Sequence, residues 1–291
     1  MLTIQHALQR MKADIQLRGL SKNTLDSYLS HAEIFLQYCD RPIDELTEMD
    51  VRNFLGHLVV ETDLTPATVN VYSAAIRFFF AVTLNRTMNY LQIPRFKAPK
   101  KLPEILTRDE IAEFFSHCSN IKHRALLLVA YGSGLRVGEI VRLKVKDIDS
   151  GSMRVFVHGG KGKKDRYTIL SEAALLALRD YWRKYRPKST EGYLFPGIKN
   201  IGHITEKAVA DAIDSTLART NINKNVSPHT FRHCFSTHLL EDGYSLFQIK
   251  EMLGHSSISS TAVYLHLANT ASGVISPADK IPAAKFEDYP L

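Results

Sequence analysis

The sequence predicts a mostly α-helical protein with one small β-sheet, an α+β fold in two domains. Three observations predict this class. Apolar residues recur at helical spacing over roughly the first 90 positions. A short segment rich in proline and basic residues follows, and further on two stretches of strand character flank a turn rich in glycine and lysine. With 45% hydrophobic and 23% charged residues in 291, the composition excludes a largely disordered or collagen-like chain.

The first domain, residues 1–92, is predicted to contain four helices. The first has one apolar face, formed by Ile4, Leu8, Met11 and Ile15. A second helix is predicted after Ser21 and a third from Thr47 to Val60. The fourth begins at Thr65-Pro66, because a capping hydroxyl followed by proline is typical of a helix start.

Residues 93–103 read as a linker, because three prolines there oppose helix formation. The segment also holds four basic side chains, which we interpret as candidate DNA contacts: Arg95, Lys97, Lys100 and Lys101. The whole chain carries a net charge of +7 at pH 7, which is compatible with a nucleic-acid partner but also with none.

The second domain, residues 104–268, opens with a capping box at Thr107–Glu110. Two helices are expected next, one through Leu128 and one from Val137. The predicted strands are Met153–Val157 and Arg166–Leu170. Helical patterns then resume in five segments: Ser171–Arg186, Glu206–Thr220, Pro228–Glu241, Ser245–Leu253 and around Ser260–His266. Residues 269–291 form a weakly patterned tail with three prolines.

Targeting and redox signals favour a cytoplasmic protein. No apolar run approaches the length needed to span a bilayer, and the N-terminus lacks the apolar core of a signal peptide. The three cysteines are widely spaced and odd in number, which indicates a reducing compartment without a disulfide framework. We therefore expect no membrane partner.

The first candidate functional segment is Gly132–Glu139, where two glycines precede Arg136 at a predicted helix start. An arginine beside a helix N-terminus can bind phosphate oxygens, although a solvated surface arginine is the commoner case. Glu139 lies one helical turn further on and could hold Arg136 or a neighbour through a charge-assisted hydrogen bond. An ordinary exposed carboxylate is the alternative.

The turn between the predicted strands, residues 158–165, packs lysines among glycines. It does not match the phosphate-binding P-loop pattern. Most such hairpins are flexible charged turns, yet Lys161 could also be carried into a groove and donate a proton to a departing oxygen. The neighbouring basic residues are candidate DNA contacts: Lys163, Lys164 and Arg166.

Residues 227–233 give the sharpest signal. Ser227 and Pro228 start a helix, so His229 and Arg232 share a face near its positive end and could converge on one anion. A helix-cap histidine is the plain alternative for His229. Zinc binding by His229 and His233 is disfavoured, because the metalloprotease pattern needs glutamate at position 230, which is threonine here.

The last informative segment is 253–266. Gly254 is interpreted as a helix stop, which leaves His255 in a loop. Tyr264 follows on a short helix. A core tyrosine with a bonded hydroxyl is its ordinary interpretation, but a phenol can also act as a nucleophile that forms a covalent intermediate.

Together and in this order, these segments resemble the signatures of the tyrosine recombinase (phage integrase) family. The matching stretches are Leu-Arg136-x-Gly-Glu139, Gly-Lys161-Gly-x-Lys164-x-Arg166, His229-x-Phe-Arg232-His, Leu-Gly-His255 and Tyr264-x-His. The resemblance extends to about residue 268 and is nearest to Xer-type recombinases and compact transposon or phage integrases.

The resemblance implies a role for each candidate residue. Tyr264 would attack a DNA phosphodiester and form a 3′-phosphotyrosine bond. Arg136 and Arg232 would clamp the non-bridging oxygens, and His255 would donate to one of them. Lys161 would protonate the leaving 5′-oxygen, His229 would manage the tyrosine proton, and Glu139 would support the site.

The resemblance also implies the wider organisation. Residues 1–92 would be a four-helix, SAM-like DNA-binding domain, and the two domains would form a C-shaped clamp on double-stranded DNA. The expected target is an inverted-repeat recombination site. A homotetramer would bind paired sites, with a second recombinase as an alternative partner. The enzyme would be cytoplasmic and associated with the nucleoid. No cofactor or metal is expected. The tail 269–291 is a candidate for exchange between protomers.

Alternatives remain open. A type IB topoisomerase would use the same chemistry without strand exchange. A non-catalytic DNA-binding protein could share the fold, although it would need none of the candidate catalytic residues. A metal-dependent nuclease is the least favoured. Chromosome-dimer resolution and mobile-element integration are not separated by the sequence.

Overall fold

The computed structural model describes residues 2–89, 95–97, 102–159 and 165–268. The chain divides into two compact units, the N-terminal unit (Met1–Lys101) and the C-terminal unit (Leu102–Leu291). Described helices and strands confirm a mostly helical fold with one small sheet. In the described ranges, no helix is long and apolar enough to cross a membrane.

The described part of the N-terminal unit contains the four predicted helices. They are α1 (Ile4–Leu17), α2 (Lys22–Cys39), α3 (Glu48–Val60) and α4 (Pro66–Phe78). A 3₁₀ turn, Ile43–Glu45, precedes α3, and one π-helical turn, Phe79–Thr83, extends α4. The π turn was not predicted, since its residues continue the same apolar pattern as α4.

Hydroxyl caps start these helices as the sequence indicates. The side chains of Ser21 and Thr65 accept hydrogen bonds from backbone amides one turn into α2 and α4. Inside the unit the helices meet through aromatic rings, including the edge-on pair Phe35–Phe54, with centroids 5.4 Å apart. The core of this unit is therefore assembled by apolar packing.

The described part of the linker is attached to α4. The Asn70 side chain accepts a hydrogen bond from the Phe96 amide at 3.1 Å and donates one to the Phe96 carbonyl at 2.8 Å. Arg95 and Lys97, on either side of Phe96, are exposed. Lys100 and Lys101 lie outside the described residues.

The C-terminal unit contains eight described α-helices and the sheet. The helices are α5 (Arg108–His117), α6 (Ile121–Gly132), α7 (Val137–Val141), α8 (Glu172–Tyr185), α9 (Glu206–Leu217), α10 (Pro228–Glu241), α11 (Leu246–Leu253) and α12 (Ser259–Ala262). A 3₁₀ turn, Val263–His266, follows α12 and carries Tyr264.

The sheet is antiparallel with strand order β1-β2-β3: β1 (Ile148–Asp149), β2 (Arg154–Val157) and β3 (Arg166–Ile169). In its register Val157 lies opposite Arg166. Strands β2 and β3 confirm the prediction, whereas β1 was missed because two residues are too few to show alternation.

The core of the C-terminal unit surrounds α6, which packs on α8 and α10. Phe114 of α5 and Phe231 of α10 are fully buried there, with their rings 5.2 Å apart. A second buried cluster joins α10, α11 and the last turn through Phe235, Ile249 and Tyr264. This second cluster brings the end of the described chain against α10.

Candidate active site

The loop between α6 and α7 presents Arg136 next to α10. Gly134 in this loop has φ +60°, and a Cβ on it would lie 2.4 Å from the Phe235 ring. A side chain at 134 is therefore excluded both by backbone conformation and by space. Arg136 follows in extended conformation at the start of α7, with about a fifth of its side chain exposed.

Glu139 on α7 is a buried carboxylate that holds Arg136. Its Oε1 accepts a hydrogen bond from Arg136 Nη1 at 2.8 Å, and its Oε2 accepts one from the Arg136 amide at 2.9 Å. Burial would raise the pKa of Glu139, but the hydrogen bonds and charge of Arg166 and the contacts of Arg136 hold it at about 2. The carboxylate is therefore ionised at neutral pH.

Arg166 differs from the expectation of a DNA contact. Its side chain is only 8% exposed, and its guanidinium donates to both oxygens of Glu139, at 2.9 and 2.8 Å. Its Nε donates to the Met252 carbonyl at 2.8 Å. The DNA-contact assignment is wrong for this conformation, because the guanidinium is buried and bonded to protein.

Arg232 on α10 is buried and ties three segments together. It donates to the Gly134 carbonyl at 2.6 Å and to the Leu253 carbonyl at 2.7 Å. Its Nη1 also lies 3.8 Å from Glu139 Oε2. Burial and the charge of Arg136 lower the pKa of Arg232 to about 10, which still leaves it a cation at neutral pH.

His255 connects Arg232 to the segment that carries the tyrosine. Its Nε2 lies 3.1 Å from Arg232 Nη2, and its Nδ1 lies 2.9 Å from the Thr261 hydroxyl. Since a guanidinium only donates, Nε2 accepts and the ring hydrogen is on Nδ1. In this conformation His255 therefore supports Arg232, and donation to a phosphoryl oxygen would require a changed arrangement.

Tyr264 is 2% exposed, and its hydroxyl lies 3.3 Å from His233 Nδ1. Burial and the proximity of His229 and Arg232 lower the pKa of His233, so that its neutral form is favoured. His229, at the start of α10, is exposed, and its ring centroid lies 6.4 Å from that of His233. The histidine nearest the phenol is thus His233.

Sequence analysis predicted no catalytic role for His233 and predicted that Arg166 contacts DNA. One signal was available for His233: a buried tyrosine hydroxyl usually has a polar partner. A sequence carries no comparable signal for Arg166, because its partners lie 27 and 86 positions away.

The structure brings Arg136, Glu139, Arg232, His255 and Tyr264 into one neighbourhood, connected through Arg166, Thr261 and His233. Lys161, Lys163 and Lys164 lie outside the described residues. Within the described ranges no three histidine, cysteine, aspartate or glutamate side chains are grouped to hold a metal ion.

Known proteins share both the sequence pattern and the fold. The sequence profile of the phage integrase family matches residues 104–271, and that of the phage integrase N-terminal SAM-like domain matches residues 7–90. The protein y4qK of Sinorhizobium fredii, provisionally named an integrase/recombinase, is 42% identical over 94% of this chain and 89% of its own length. Tyrosine recombinase XerD of Rickettsia bellii is 33% identical over 86% of this chain and 90% of its own length.

Solved structures agree in fold. The crystal structure of XerA recombinase is 26% identical, with a TM-score of 0.54 over 91% of this chain and 95% of that protein. XerH bound to its difH substrate has a TM-score of 0.68 at 20% identity, over 89% of this chain and 80% of that one. Because both domains match and these relatives cover most of the chain, the chain belongs to the phage integrase family of tyrosine recombinases.

Proposed function

We propose that this protein is a site-specific DNA recombinase that cleaves and rejoins DNA through a phosphotyrosine at Tyr264. The observation that carries the proposal is the convergence of distant segments on one cationic site. Arg136 before α7 and Arg232 on α10 lie against the carboxylate of Glu139, His255 after α11 contacts Arg232, and Tyr264 lies beside α10. Packing alone does not require the guanidinium groups of Arg136 and Arg232 at one point.

The chemistry follows from these side chains. The Tyr264 oxygen attacks the phosphorus, the bond to the 5′-oxygen breaks, and that oxygen takes up a proton, which we assign to Lys161. Arg136 and Arg232 stabilise the charge that accumulates on the non-bridging oxygens. The 5′-hydroxyl of a partner strand then attacks the phosphotyrosine, and the phenol regains its proton. The bond energy is retained throughout, so the scheme calls for no cofactor.

The proton of Tyr264 has two candidate acceptors. His229 is the one that the family resemblance implies, whereas His233 is the one in contact with the hydroxyl. Since Tyr264 is almost fully buried, its hydroxyl has to leave His233 before it can reach a phosphodiester. We assign the proton transfer to His229 and the resting position of the phenol to His233.

Double-stranded DNA with an inverted-repeat site is the proposed partner. Two solved structures with this fold are DNA complexes, XerH with difH and the Tn1549 integrase with transposon right end DNA. The exposed Arg95 and Lys97 would contact the phosphate backbone, as would Lys100, Lys101, Lys163 and Lys164. Affinity should then fall steeply with salt.

The proposed assembly is a homotetramer bound to paired sites in the nucleoid. The alternative is a tetramer that also contains a second recombinase. Deletion of residues 269–291 tests whether the tail joins protomers. Cooperative binding to paired sites should then be lost while binding to one half-site persists. Unchanged cooperativity would contradict this role of the tail.

Two biological roles fit the proposed reaction, chromosome-dimer resolution and mobile-element integration or excision. The DNA beside the gene separates them, because a chromosomal repeat favours the first and transposon ends favour the second. That same flanking DNA supplies the substrate for the decisive experiment.

The test is covalent trapping on nicked suicide duplexes made from the flanking DNA, in buffer with EDTA. Wild type should form a denaturation-resistant protein–DNA adduct, and Tyr264→Phe should form none while binding DNA as well as wild type. Tyr244→Phe is the matched control, since Tyr244 is an exposed tyrosine of the same unit. Its adduct yield should equal that of wild type.

Each other outcome is informative. DNA binding without an adduct from wild type would favour a non-catalytic DNA-binding protein or an obligatory second recombinase. An adduct that persists in Tyr264→Phe would overturn the assignment of the nucleophile. Supercoil relaxation on DNA of any sequence, without strand exchange between sites, would favour the topoisomerase alternative.

A further inference from the structure

Arg166 is a buried cation that has no role in the reaction proposed above. It begins β3, and its guanidinium spends three N–H groups on protein acceptors, the two oxygens of Glu139 and the carbonyl of Met252. A paired contact of both guanidinium nitrogens with both carboxylate oxygens fixes the carboxylate plane as well as its position. Arg166 therefore determines how Glu139 is oriented.

The fold keeps space for this arginine. Gly254, which ends α11, has φ +63°, and a Cβ there would lie 2.7 Å from Arg166 Cδ and 3.1 Å from its Nε. The glycine is thus required by its own backbone and by the side chain that crosses it. Gly254 therefore both ends α11 and leaves the space that the Arg166 side chain occupies.

The contact between Arg166 and Glu139 limits how many hydrogen bonds Arg136 makes with the same carboxylate. Because Arg166 takes both oxygens of Glu139, Arg136 reaches the carboxylate through a single side-chain nitrogen, Nη1. Arg136 is also the more exposed of the two, with 21% of its side chain accessible against 8% for Arg166. Two guanidinium groups on one carboxylate leave an excess of positive charge, which favours an incoming anion.

We propose that Arg166 is a positioning residue for the reaction: its paired contact holds Glu139 in the orientation that aims Arg136 at the scissile phosphate. This rests on the proposed function. The competing interpretation is that Arg166 only stabilises the fold, which predicts fewer folded molecules but normal chemistry in each of them.

The test compares Arg166→Lys with wild type in single-turnover adduct formation on two suicide duplexes. One has a normal scissile phosphodiester, and the other has a methylphosphonate, in which a neutral methyl replaces one non-bridging oxygen. Arg166→Lys keeps the charge but loses the paired contact. We expect its rate on the phosphodiester to fall roughly 100-fold, the cost of a misplaced catalytic group.

The methylphosphonate separates positioning from stability. It accumulates less negative charge, so it depends less on a correctly aimed Arg136. The ratio of methylphosphonate rate to phosphodiester rate should therefore rise in Arg166→Lys, as it should in Arg136→Lys. The double variant should be no slower than Arg136→Lys alone, because both changes act on the same group. Arg154→Lys, an exposed arginine on β2, should keep the wild-type ratio.

A second variant covers the case in which Arg166→Lys does not fold. Gly254→Ala leaves every charge in place and displaces Arg166, and it should show the same raised ratio. Equal losses on both substrates, with a wild-type ratio in both variants, would overturn the positioning role while leaving the proposed function intact. A wild type that forms no Tyr264-dependent adduct on either substrate, both alone and with a second recombinase present, would overturn both.

Discussion

The two units of this protein have interiors of different chemistry. Among described residues, the buried polar side chains of the N-terminal unit are two hydroxyls, Ser73 and Thr83, and its core is otherwise apolar. The C-terminal unit buries the charged groups Glu139, Asp147 and Arg232. Because an unpaired buried charge costs several kcal/mol, such groups persist only where geometry pairs them. The difference shows that the interior of the C-terminal unit depends on the pairing of buried charges, whereas that of the N-terminal unit depends on apolar packing.

The largest expected effect comes from Glu139→Ala, which breaks the paired charges of the C-terminal unit. It leaves Arg136, Arg166 and Arg232 facing one another without their shared carboxylate, and should lower the free energy of unfolding by about 3–5 kcal/mol. Urea unfolding measures this. The matched control is Asp180→Ala, which removes an exposed carboxylate paired with Arg183 and should change stability by less than about 1 kcal/mol. Similar losses in both variants would contradict the comparison.

A core substitution in the N-terminal unit should act through packing alone. Phe35→Ala removes a fully buried ring and should lower the free energy of unfolding by about 3–5 kcal/mol. The protein has a single tryptophan, Trp182 on α8, so tryptophan fluorescence reports on the C-terminal unit, whereas circular dichroism reports on both.

We expect Phe35→Ala to shift the early part of the dichroism transition and to leave the fluorescence midpoint in place, since each unit has its own core. An equal shift of both signals would show that the two cores unfold as one.

Acid should weaken the C-terminal unit more than the N-terminal unit. Burial lowers the pKa of His238, as it does for His123 and His233 in the same unit, whereas the N-terminal unit has one such histidine, His31. A histidine with a lowered pKa binds its proton more readily in the unfolded chain. Its stabilising contribution is therefore complete above about pH 6.5 and is lost as the pH falls below that value.

Urea unfolding at pH 7 and pH 5, followed by Trp182 fluorescence, measures the effect. The loss is at most about 1.4 kcal/mol per pH unit for each histidine that gains a full proton on unfolding. His238→Gln should flatten the pH dependence. Unaltered midpoints between the two pH values would refute the assignment.

The smallest expected effect concerns the linker. Asn70→Ala removes both hydrogen bonds to Phe96, a loss of about 1 kcal/mol in local stability. Trypsin should then cut after the exposed Arg95 and Lys97 about fivefold faster, with global unfolding unchanged. Asn53→Ala, an exposed asparagine on α3, is the control. Equal cleavage rates in Asn70→Ala and wild type would show that the amide does not hold this segment.

Local features of the fold could be predicted from the sequence because their signals are local. The capping box at Thr107–Glu110, the Ser227-Pro228 start of α10 and the glycine stop at Gly254 all appear where the sequence placed them. Each depends on residues within one helical turn, so propensity and spacing are sufficient.

The sequence predicted which residues belong to the candidate site, but it did not predict most of the contacts between them. The bond of Glu139 to Arg136 was foreseen, because three positions on a helix start bring the two together. The contacts of Arg166 with Glu139 and Met252 were not, because tertiary packing alone joins those segments. For the same reason the sequence identified Tyr264 but missed the histidine against its hydroxyl.

The hydrogen-bond acceptors of Arg232 are synthesised at different times. The carbonyls that it binds belong to residues 98 positions before it and 21 positions after it. During synthesis the guanidinium has only part of its set of acceptors until the end of α11 has left the ribosome, and Tyr264 emerges later still. A chain that ends after α10 but before residue 253 will therefore contain most of the helices, while its Arg232 lacks the Leu253 carbonyl as an acceptor.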